Sequence, residues 1–494
     1  MYYTKPKGKD MVQEAVAVAK DQTAKFFSKE GFLNKRGVGV ILGIIILIVA
    51  ACIPGSDAIS HEGIMSIGAL LFAVVFWVCG VLPVGVTGLL ALVICVLSGA
   101  ATMKTAFGAF GSNVIWFIVA IFALPALLMK TNWPVRLINK LFKLTGDNSE
   151  KLVLVFMIGA AIVSTVMSDT AAVVLFVGIA FVILRSVNAE PGKSNLGKAL
   201  MIGIPVGAVI GGVVTPAGSS FNMLALGMME QMTGQTISFL NWIIIGLPVA
   251  IISIPLCWFS IVKILKPEKI EKIGYDNLRK AGEDAGKASA FEKRALFMIV
   301  ILPVLWIAGS FIPVLNTTTV AIIGLAIMFL PGLNLLEWKE YVSQVPWTII
   351  LMMGSVMSLG DIVAATGAAQ FVTDAFLSTG VAGLDLTLFL LVCVIVVYLL
   401  HTIAPAGAAI LSLFLPIMIG VCASYGISPA VPTTLLAFIV AGNFILPVNP
   451  TVLITFGEGY FTFGDMAKSG IIPAAIFCIV MVLWVPFICG VMGI

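Results

Sequence analysis

Charged residues are scarce in this chain. Only 11% of its 494 residues are Asp, Glu, Lys or Arg, and 60% are hydrophobic, whereas a soluble globular domain carries about 25% charged residues. Apolar runs long enough to cross a bilayer recur throughout, and the short alternating segments of a β-barrel are absent. The sequence therefore predicts an all-α polytopic membrane protein in the lipid bilayer of the cell membrane (plasma or inner).

Residues that support catalysis or bind metals are also few. His61 and His401 are the only histidines, and none of the eight cysteines forms a CxxC pair, so we expect no histidine-based metal site and interpret the cysteines as small hydrophobes. An intramembrane hydrolase built on Ser164 or Ser168 is disfavoured, because no Gly-x-Ser-x-Gly or HExxH motif occurs. The sequence contains no selectivity-filter repeat, which argues against an ion channel. The dispersed basic residues argue against nucleic-acid binding. We expect a protein that is not an enzyme.

Two long apolar stretches, one in each half, are interrupted by Pro, Gly and small polar residues. The interruptions lie at 211–222 and at 442–451. A membrane helix can be broken only where protein or a water-filled cavity satisfies the freed backbone groups. Two such breaks in corresponding positions of two halves indicate the central binding site of a transporter.

Each break follows another apolar run that has a polar interruption of its own. The first run, 152–187, carries Ser-Asp-Thr at 168–170, and the second, 385–421, is interrupted at 401–407. Each arm of the first run is barely long enough to cross a core about 30 Å thick, so two tight spans or a re-entrant hairpin both fit. A carboxylate at the turn favours the hairpin, since that turn must meet polar surroundings.

The distribution of cations predicts the orientation. With the N-terminus and the entrance of the first hairpin on the cytoplasmic side, every one of the 28 Lys and Arg except Lys104 falls on that side, in accord with the positive-inside rule. This topology has about eleven transmembrane helices and two re-entrant hairpins, related as inverted repeats, and it places the C-terminus outside. Hydrophobic residues at helical spacing in 12–26 indicate an interfacial amphipathic helix or, equally well, part of a disordered basic tail.

The order of hairpin and broken helix, twice over, resembles the divalent anion–sodium symporter family of di- and tricarboxylate carriers. The likeness extends over nearly the whole chain from about residue 60, and its most specific parts are 164–170, 211–222 and 441–460. The resemblance implies a homodimer in which transport domains move against a scaffold like an elevator. The implied units are a basic tail or interfacial helix (1–36), scaffold helices (37–146), a first transport half (147–264), a cytoplasmic linker (265–294), scaffold helices (295–378) and a second transport half (379–494).

The resemblance also implies a substrate site formed by both hairpin tips and both breaks. Their hydroxyl and amide groups, together with the positive ends of the half-helices, suit the carboxylates of a small dicarboxylate anion. The implied ligands are Ser168, Asp169, Thr170, Gly218, Ser219, Ser220, Asn222, Gly407, Ala408, Val448, Asn449, Pro450 and Thr451.

The chain departs from the family pattern at both tips, where the family reads Ser-Asn-Thr. The first tip carries Asp169 in place of Asn, and the second, 406–408, has lost all three polar residues. In sodium-coupled members these segments also supply the sodium ligands. Ser164 and Ser168 remain at the first sodium site, but only Thr402 and nearby carbonyls remain at the second. Sodium is therefore a possible but doubtful cofactor, and no other cofactor is expected.

An ionised Asp169 would repel a dianion in a medium of low dielectric. We therefore expect it to be protonated or paired with His401, so that fixed charge compensates the substrate in place of sodium; a plain helix-capping role is the alternative. The main hypothesis is exchange of C4 or C5 dicarboxylates such as succinate, malate, fumarate and 2-oxoglutarate. The other is sodium- or proton-coupled symport through Asp169 and Ser164. We interpret Asp361 as a helix-end residue.

Overall fold

The computed structural model describes residues 34–142, 148–269, 287–378, 385–403 and 406–494. The described residues form an all-helical protein, as predicted, and the expected helix within 12–26 lies outside them. In the first half the helices are α1 Lys35–Cys52, α2 His61–Cys79, α3 Val84–Leu97, α4 Met103–Gly108, α5 Asn113–Ile121, α6 Ala123–Met129, α7 Trp133–Phe142, α8 Ser149–Ser164, α9 Asp169–Ser186, α10 Asn195–Gly212, α11 Ser220–Thr233 and α12 Phe239–Leu265. In the second half they are α13 Ala290–Gly309, α14 Thr317–Met328, α15 Trp338–Gln344, α16 Trp347–Ala365, α17 Ala368–Leu377, α18 Leu386–Ile403, α19 Gly407–Ser424, α20 Ala430–Ala441, α21 Pro450–Phe456 and α22 Phe463–Met492.

Many of these helices are apolar enough to cross a bilayer. Within the described ranges, seven have the length and composition of a membrane span, and an eighth arises if the segments Met103–Gly111 and Asn113–Met129, which meet at 43°, count as one. The protein is therefore polytopic, as predicted, and the number of eleven spans stays a prediction.

The two hairpins and the two broken helices interlock in the same way in each half. The hairpins are α8–α9 and α18–α19, and the broken helices are α10–α11 and α20–α21. The first arm of each hairpin packs on the first part of the broken helix that follows it, while the return arm packs on the second part of the other broken helix, α9 on α21 and α19 on α11. All twelve residues of α20 are buried, so the first parts of the broken helices form the centre of the molecule.

The last residues of the predicted linker are helical. We expected it to run to residue 294, but α13 begins at Ala290 because Ser289 and Glu292 form a reciprocal capping box at its start. Local hydrogen bonding at a helix start is invisible to a prediction based on hydrophobicity.

Candidate functional site

The first hairpin tip is shaped by its own side chains. Ser168 is the N-cap of α9 and accepts a hydrogen bond from the amide of Ala171 at 3.4 Å. Asp169 follows in the first turn, only 7% exposed, and its Oδ1 accepts from the amide and hydroxyl of Thr170 at 2.7 and 3.3 Å. The capping role considered for Asp169 thus belongs to Ser168, and the carboxyl group lies at the positive end of α9.

At the first break, side chains satisfy the carbonyls that the helix releases. The side-chain amide of Asn222 donates to the carbonyls of Gly212 (2.8 Å) and Thr215 (2.9 Å). The indole of Trp242 donates to the carbonyl of Val213 at 2.9 Å. Asn222, predicted as a substrate ligand, therefore uses its Nδ2 to hold the break open, and only its Oδ1 remains available.

The second break is satisfied in a comparable way. Asn449 caps α21 by accepting from the amide of Thr451 at 3.0 Å, and it donates to the carbonyl of Ala441 at 3.1 Å. The hydroxyl of Tyr398, on the second hairpin, accepts from the amide of Phe444 at 2.8 Å. Both functional groups of Asn449, another predicted ligand, are thus occupied by the backbone.

Both tips and both breaks meet at one place. The hydroxyls of Thr170 and Thr451 are 3.1 Å apart and join the first tip to the second break. The ring of Phe221, in the first break, lies where a Cβ on Gly407 of the second tip would fall. Each tip also bonds the break of its own half, through Thr215 Oγ1 to Thr165 O at 2.6 Å and through Asn443 Nδ2 to Thr402 Oγ1 at 2.9 Å.

A cavity of about 20 Å³ lies against the first tip and the first break. Since one water needs about 10–15 Å³ by this measure, a dicarboxylate enters only when these walls separate. The lining includes no Lys or Arg. Its residues from the tip, the break and the α5–α6 segment are Ser168, Ser219, Ser220, Ala217, Val166, Met167, Met223, Ile118, Ile121, Phe122 and Pro125.

The remaining predicted ligands differ in accessibility. Gly218, Gly407 and Ala408 are buried, Val448 is half-buried, and Pro450 is exposed at the start of α21. None of these five offers a polar side chain, so any contact with an anion would use their backbone.

The two possible sodium sites differ in the state of their oxygens. Ser164 Oγ and Asn222 Oδ1 are buried and have no hydrogen-bond partner in the part of the chain that the structure describes. A Cβ on Gly212 would lie 3.2 Å from Ser164 Oγ and 3.0 Å from the carbonyl oxygen of Gly218, so these two oxygens lie close to one point. Unsatisfied buried oxygens of this kind suit a small hard cation. At the second site the hydroxyl of Thr402 already donates to the carbonyl of Tyr398 at 2.8 Å and accepts from Asn443.

The predicted pairing of Asp169 with His401 has no contact to support it. Among the described residues no ion pair joins the two side chains, and Asp169 bonds only to Thr170. His401 is 2% exposed, and its Nδ1 has no partner within the described ranges. Fixed charge at His401 therefore remains a hypothesis that this geometry does not support.

Sequence reasoning missed the residues that hold the breaks, above all Asn443, Tyr398 and Trp242. One signal was present for Asn443, because an amide inside an apolar run is unusual in a membrane segment. Tyr398 and Trp242 resemble ordinary apolar positions of a helix, and only the packing brings their polar atoms to the freed backbone groups.

Paired hairpins and broken helices that meet in a buried centre define a secondary transporter of the multi-pass membrane type. A family model described as the sodium:sulfate symporter transmembrane region matches residues 34–491. The chain belongs to this family, the divalent anion–sodium symporters, which confirms the predicted resemblance and the prediction that it is a transporter and not an enzyme.

Individual relatives agree with this assignment. The chain is 25% identical over 476 residues to the sodium-dependent dicarboxylate transporter of Staphylococcus saprophyticus, covering 91% of each chain. It is 23% identical over 499 residues to the transporter of the same name from Staphylococcus aureus, covering 94% of this chain and 95% of that one.

Two solved structures share the fold. The YdaH transporter of Alcanivorax borkumensis superposes with a TM-score of 0.52 at 13% identity, covering 92% of this chain and 98% of that one. MtrF of Neisseria gonorrhoeae gives a TM-score of 0.56 at 11% identity, covering 95% and 97%. At such low identity these likenesses concern the fold alone.

Proposed function

We propose that the protein carries C4 and C5 dicarboxylates, such as succinate, malate, fumarate or 2-oxoglutarate, across the cell membrane. The main observation behind this proposal is that both tips and both breaks meet at one place, where the hydroxyls of Thr170 and Thr451 are in contact. Two helices begin there, α9 and α21, and the positive ends of their dipoles attract carboxylates without a fixed cation. The names of the staphylococcal relatives support the same substrate class. Transport follows an elevator movement of a homodimer in this proposal.

Coupling to sodium through the first site fits the geometry best. Ser164 Oγ and Asn222 Oδ1 are buried oxygens without partners among the described residues, and such groups are costly unless an ion or water satisfies them. A sodium ion there would also compensate one charge of the substrate. Sodium-coupled symport, one of the two mechanisms that the sequence predicts, is therefore the first candidate for the transport mechanism.

Dicarboxylate exchange without sodium is the second candidate. Asp169 supplies a buried carboxyl group beside the site, and the second tip lacks the polar side chains that the family uses there. When a fixed protein charge compensates the substrate, the empty site keeps that charge without a partner. The empty carrier then returns across the membrane only with difficulty. Exchange would then be obligatory.

Uptake of labelled succinate into proteoliposomes separates the candidates. Uptake into empty vesicles that requires an inward sodium gradient supports symport, and its loss in Ser164→Ala ties that sodium to the first site. Uptake that requires internal dicarboxylate and ignores sodium supports exchange. Absence of succinate uptake under both conditions, with protein correctly folded by size-exclusion chromatography, would contradict the substrate class itself.

A further inference from the structure

Asn443 is the second residue of the second break, and both polar atoms of its side chain form hydrogen bonds. It is 1% exposed, and its Oδ1 accepts from the amides of Ile445 at 3.1 Å and Leu446 at 3.2 Å. These two donors fix which end of the amide is oxygen. Its Nδ2 must therefore face the hydroxyl of Thr402, 2.9 Å away on the second hairpin.

The protons on the other side of this bond are consistent with the same assignment. The hydroxyl of Thr402 has one proton, and that proton goes to the carbonyl of Tyr398 at 2.8 Å. Its oxygen can then only accept from Asn443. The bond has one direction, from the break to the tip. The reversed amide would place donor against donor at Ile445 and Leu446 and acceptor against acceptor at Thr402.

We propose that the amide of Asn443 replaces a cation at the second hairpin tip, so that at most one sodium ion couples to each dicarboxylate. By the family resemblance, Thr402 supplies the one side-chain oxygen that remains at the second sodium site. In the structure this oxygen accepts a hydrogen bond from the side-chain amide of Asn443. Asn443 is thus a positioning residue that ties the tip to the break. The inference rests on the proposed function and specifies its coupling.

Displacing this donor would be costly. A cation at Thr402 would have to push away the amide of Asn443, which also satisfies two backbone N–H groups of the break. A donor shielded from water that loses its acceptor is left without any hydrogen bond, which destabilises the break. A sodium ion that supplies no compensating contact to Ile445 or Leu446 would not restore that stability.

The sodium dependence of the wild-type protein is the first test. Succinate uptake into proteoliposomes is measured against external sodium at constant ionic strength. We expect a Hill coefficient for sodium of at most about 1, because the coefficient is bounded by the number of coupled sites; uptake that is independent of sodium supports the inference equally. A coefficient close to 2 would overturn it while leaving dicarboxylate transport intact. Failure to bind or carry any dicarboxylate would instead count against the proposed function.

The variant Asn443→Asp is the second test. It keeps the shape and the acceptor for Ile445 and Leu446 but replaces the donor by a carboxylate oxygen that faces Thr402. We expect the Hill coefficient for sodium to rise by about one, since two oxygens now face each other there. An unchanged sodium profile in folded Asn443→Asp would refute the role of the amide. Asn34→Asp is the matched control, because Asn34 caps α1 far from the breaks and Asp caps a helix equally well.

Discussion

At the scale of single residues, the hydroxyls of Thr170 and Thr451 form the direct side-chain link between the first tip and the second break. Thr451 is 2% exposed and Thr170 is half-buried, so the link is shielded from water. Both residues stand in the first turn of a helix, α9 and α21. A ligand at these helix starts would touch both hydroxyls.

Thr451→Val should weaken succinate binding by about two- to tenfold. Valine keeps the volume of threonine but removes the hydroxyl, and one hydrogen bond contributes about 0.5–1.5 kcal/mol net, where 1.4 kcal/mol is a factor of ten. Binding is measured by isothermal titration in detergent. Thr451→Ser keeps the hydroxyl and is the control; if both variants bind equally weakly, packing and not the hydroxyl is responsible.

Asp169→Asn should abolish a pH dependence of substrate binding. The protonated carboxyl group is neutral and compatible with a dianion, whereas its ionised form repels one, so wild-type affinity should fall as pH rises. Asparagine keeps the acceptor for Thr170 but cannot ionise. Succinate affinity is measured at the same series of pH values for wild type and variant, so that the titration of succinate itself cancels in the comparison. A variant that retains the wild-type slope would assign the pH dependence to another group.

At the scale of helices, α10 approaches α8 through glycines four residues apart. A Cβ on Gly207 would lie 2.5 Å from the carbonyl oxygen of Met157, and one on Gly211 would overlap the backbone of Ala161. Small residues at this spacing allow backbones to touch in a membrane. This close approach brings the first break against the first tip.

Gly211→Ala should therefore destabilise the folded protein strongly. The added methyl group has only backbone to displace, so α8 and α10 must separate. We expect a lower melting temperature and a reduced yield of monodisperse protein, measured by fluorescence-detected chromatography after heating. Gly178→Ala, on α9, is the control, because no atom lies within 4 Å of its added Cβ and alanine favours a helix by up to about 1 kcal/mol. Equal loss in both variants would contradict the packing argument.

The helix α7 is joined to the start of α13 by a charged pair. Arg136 donates to both carboxylate oxygens of Glu292 at 2.9 and 3.1 Å, and the amides of Asn132 and Ser289 donate to the same group. Arg136 and its neighbours hold the pKa of Glu292 down, from 4.5 to about 2. Because α7 precedes the first hairpin, this clamp fixes one end of that connection.

Glu292→Gln should lower the melting temperature by a few degrees near neutral pH. Hydrogen bonds to a charged group contribute about 1.5–3 kcal/mol. Since folding lowers the pKa of Glu292, its stabilisation is present above pH 4.5 and is lost as pH falls toward 2, so the difference between wild type and variant should shrink over that window. The control is Glu340→Gln, whose partner Lys130 is 31% exposed and whose effect should be small. A difference that does not change with pH would argue against the charged pair.

At the scale of the whole molecule, contacts between distant parts of the chain form two groups, which match the two sides of the predicted topology. Residues assigned to the inner side contact one another, and so do those assigned to the outer side. The inner contacts are Lys130 with Glu340, Arg136 with Glu292, Asn195 with Glu268 and Lys198 with Asp465. The outer contacts are Asn113 with Thr318, Leu240 with Ser310 and Ser66 with Thr366.

The two termini should therefore lie on opposite sides of the membrane. The predicted eleven spans, an odd number, would place the N-terminus in the cytoplasm and the C-terminus outside, and the cation distribution predicts the direction. An epitope tag after Ile494 should be labelled on intact spheroplasts, and a tag before Met1 only after permeabilisation. Labelling of both tags under the same condition would mean an even number of spans.

The sequence alone determined the fold class, the family and the places where the membrane helices break. The bilayer surrounds the chain with apolar solvent, and each segment must satisfy that solvent by itself. Hydrophobic runs, scarce charge and clustered Pro and Gly are therefore visible in the sequence. The tips at 168–170 and 406–408 and the breaks at 211–222 and 442–451 could therefore be located before any coordinates. The number of spans stays a prediction, because helix lengths in the described residues do not by themselves define the membrane boundaries.

The hydrogen-bond partner of each polar side chain in those segments depends on how the helices pack. Asn222 and Asn449 were predicted to face the substrate, yet they mostly satisfy carbonyls released by the breaks. Asn443 and Tyr398 were not predicted at all, and they hold the second break to its hairpin. The physical reason is that a buried backbone group must find a partner wherever packing brings one. For Asn443 and Tyr398 the partner is 41 and 46 positions away in the chain, so no local pattern indicates the contact.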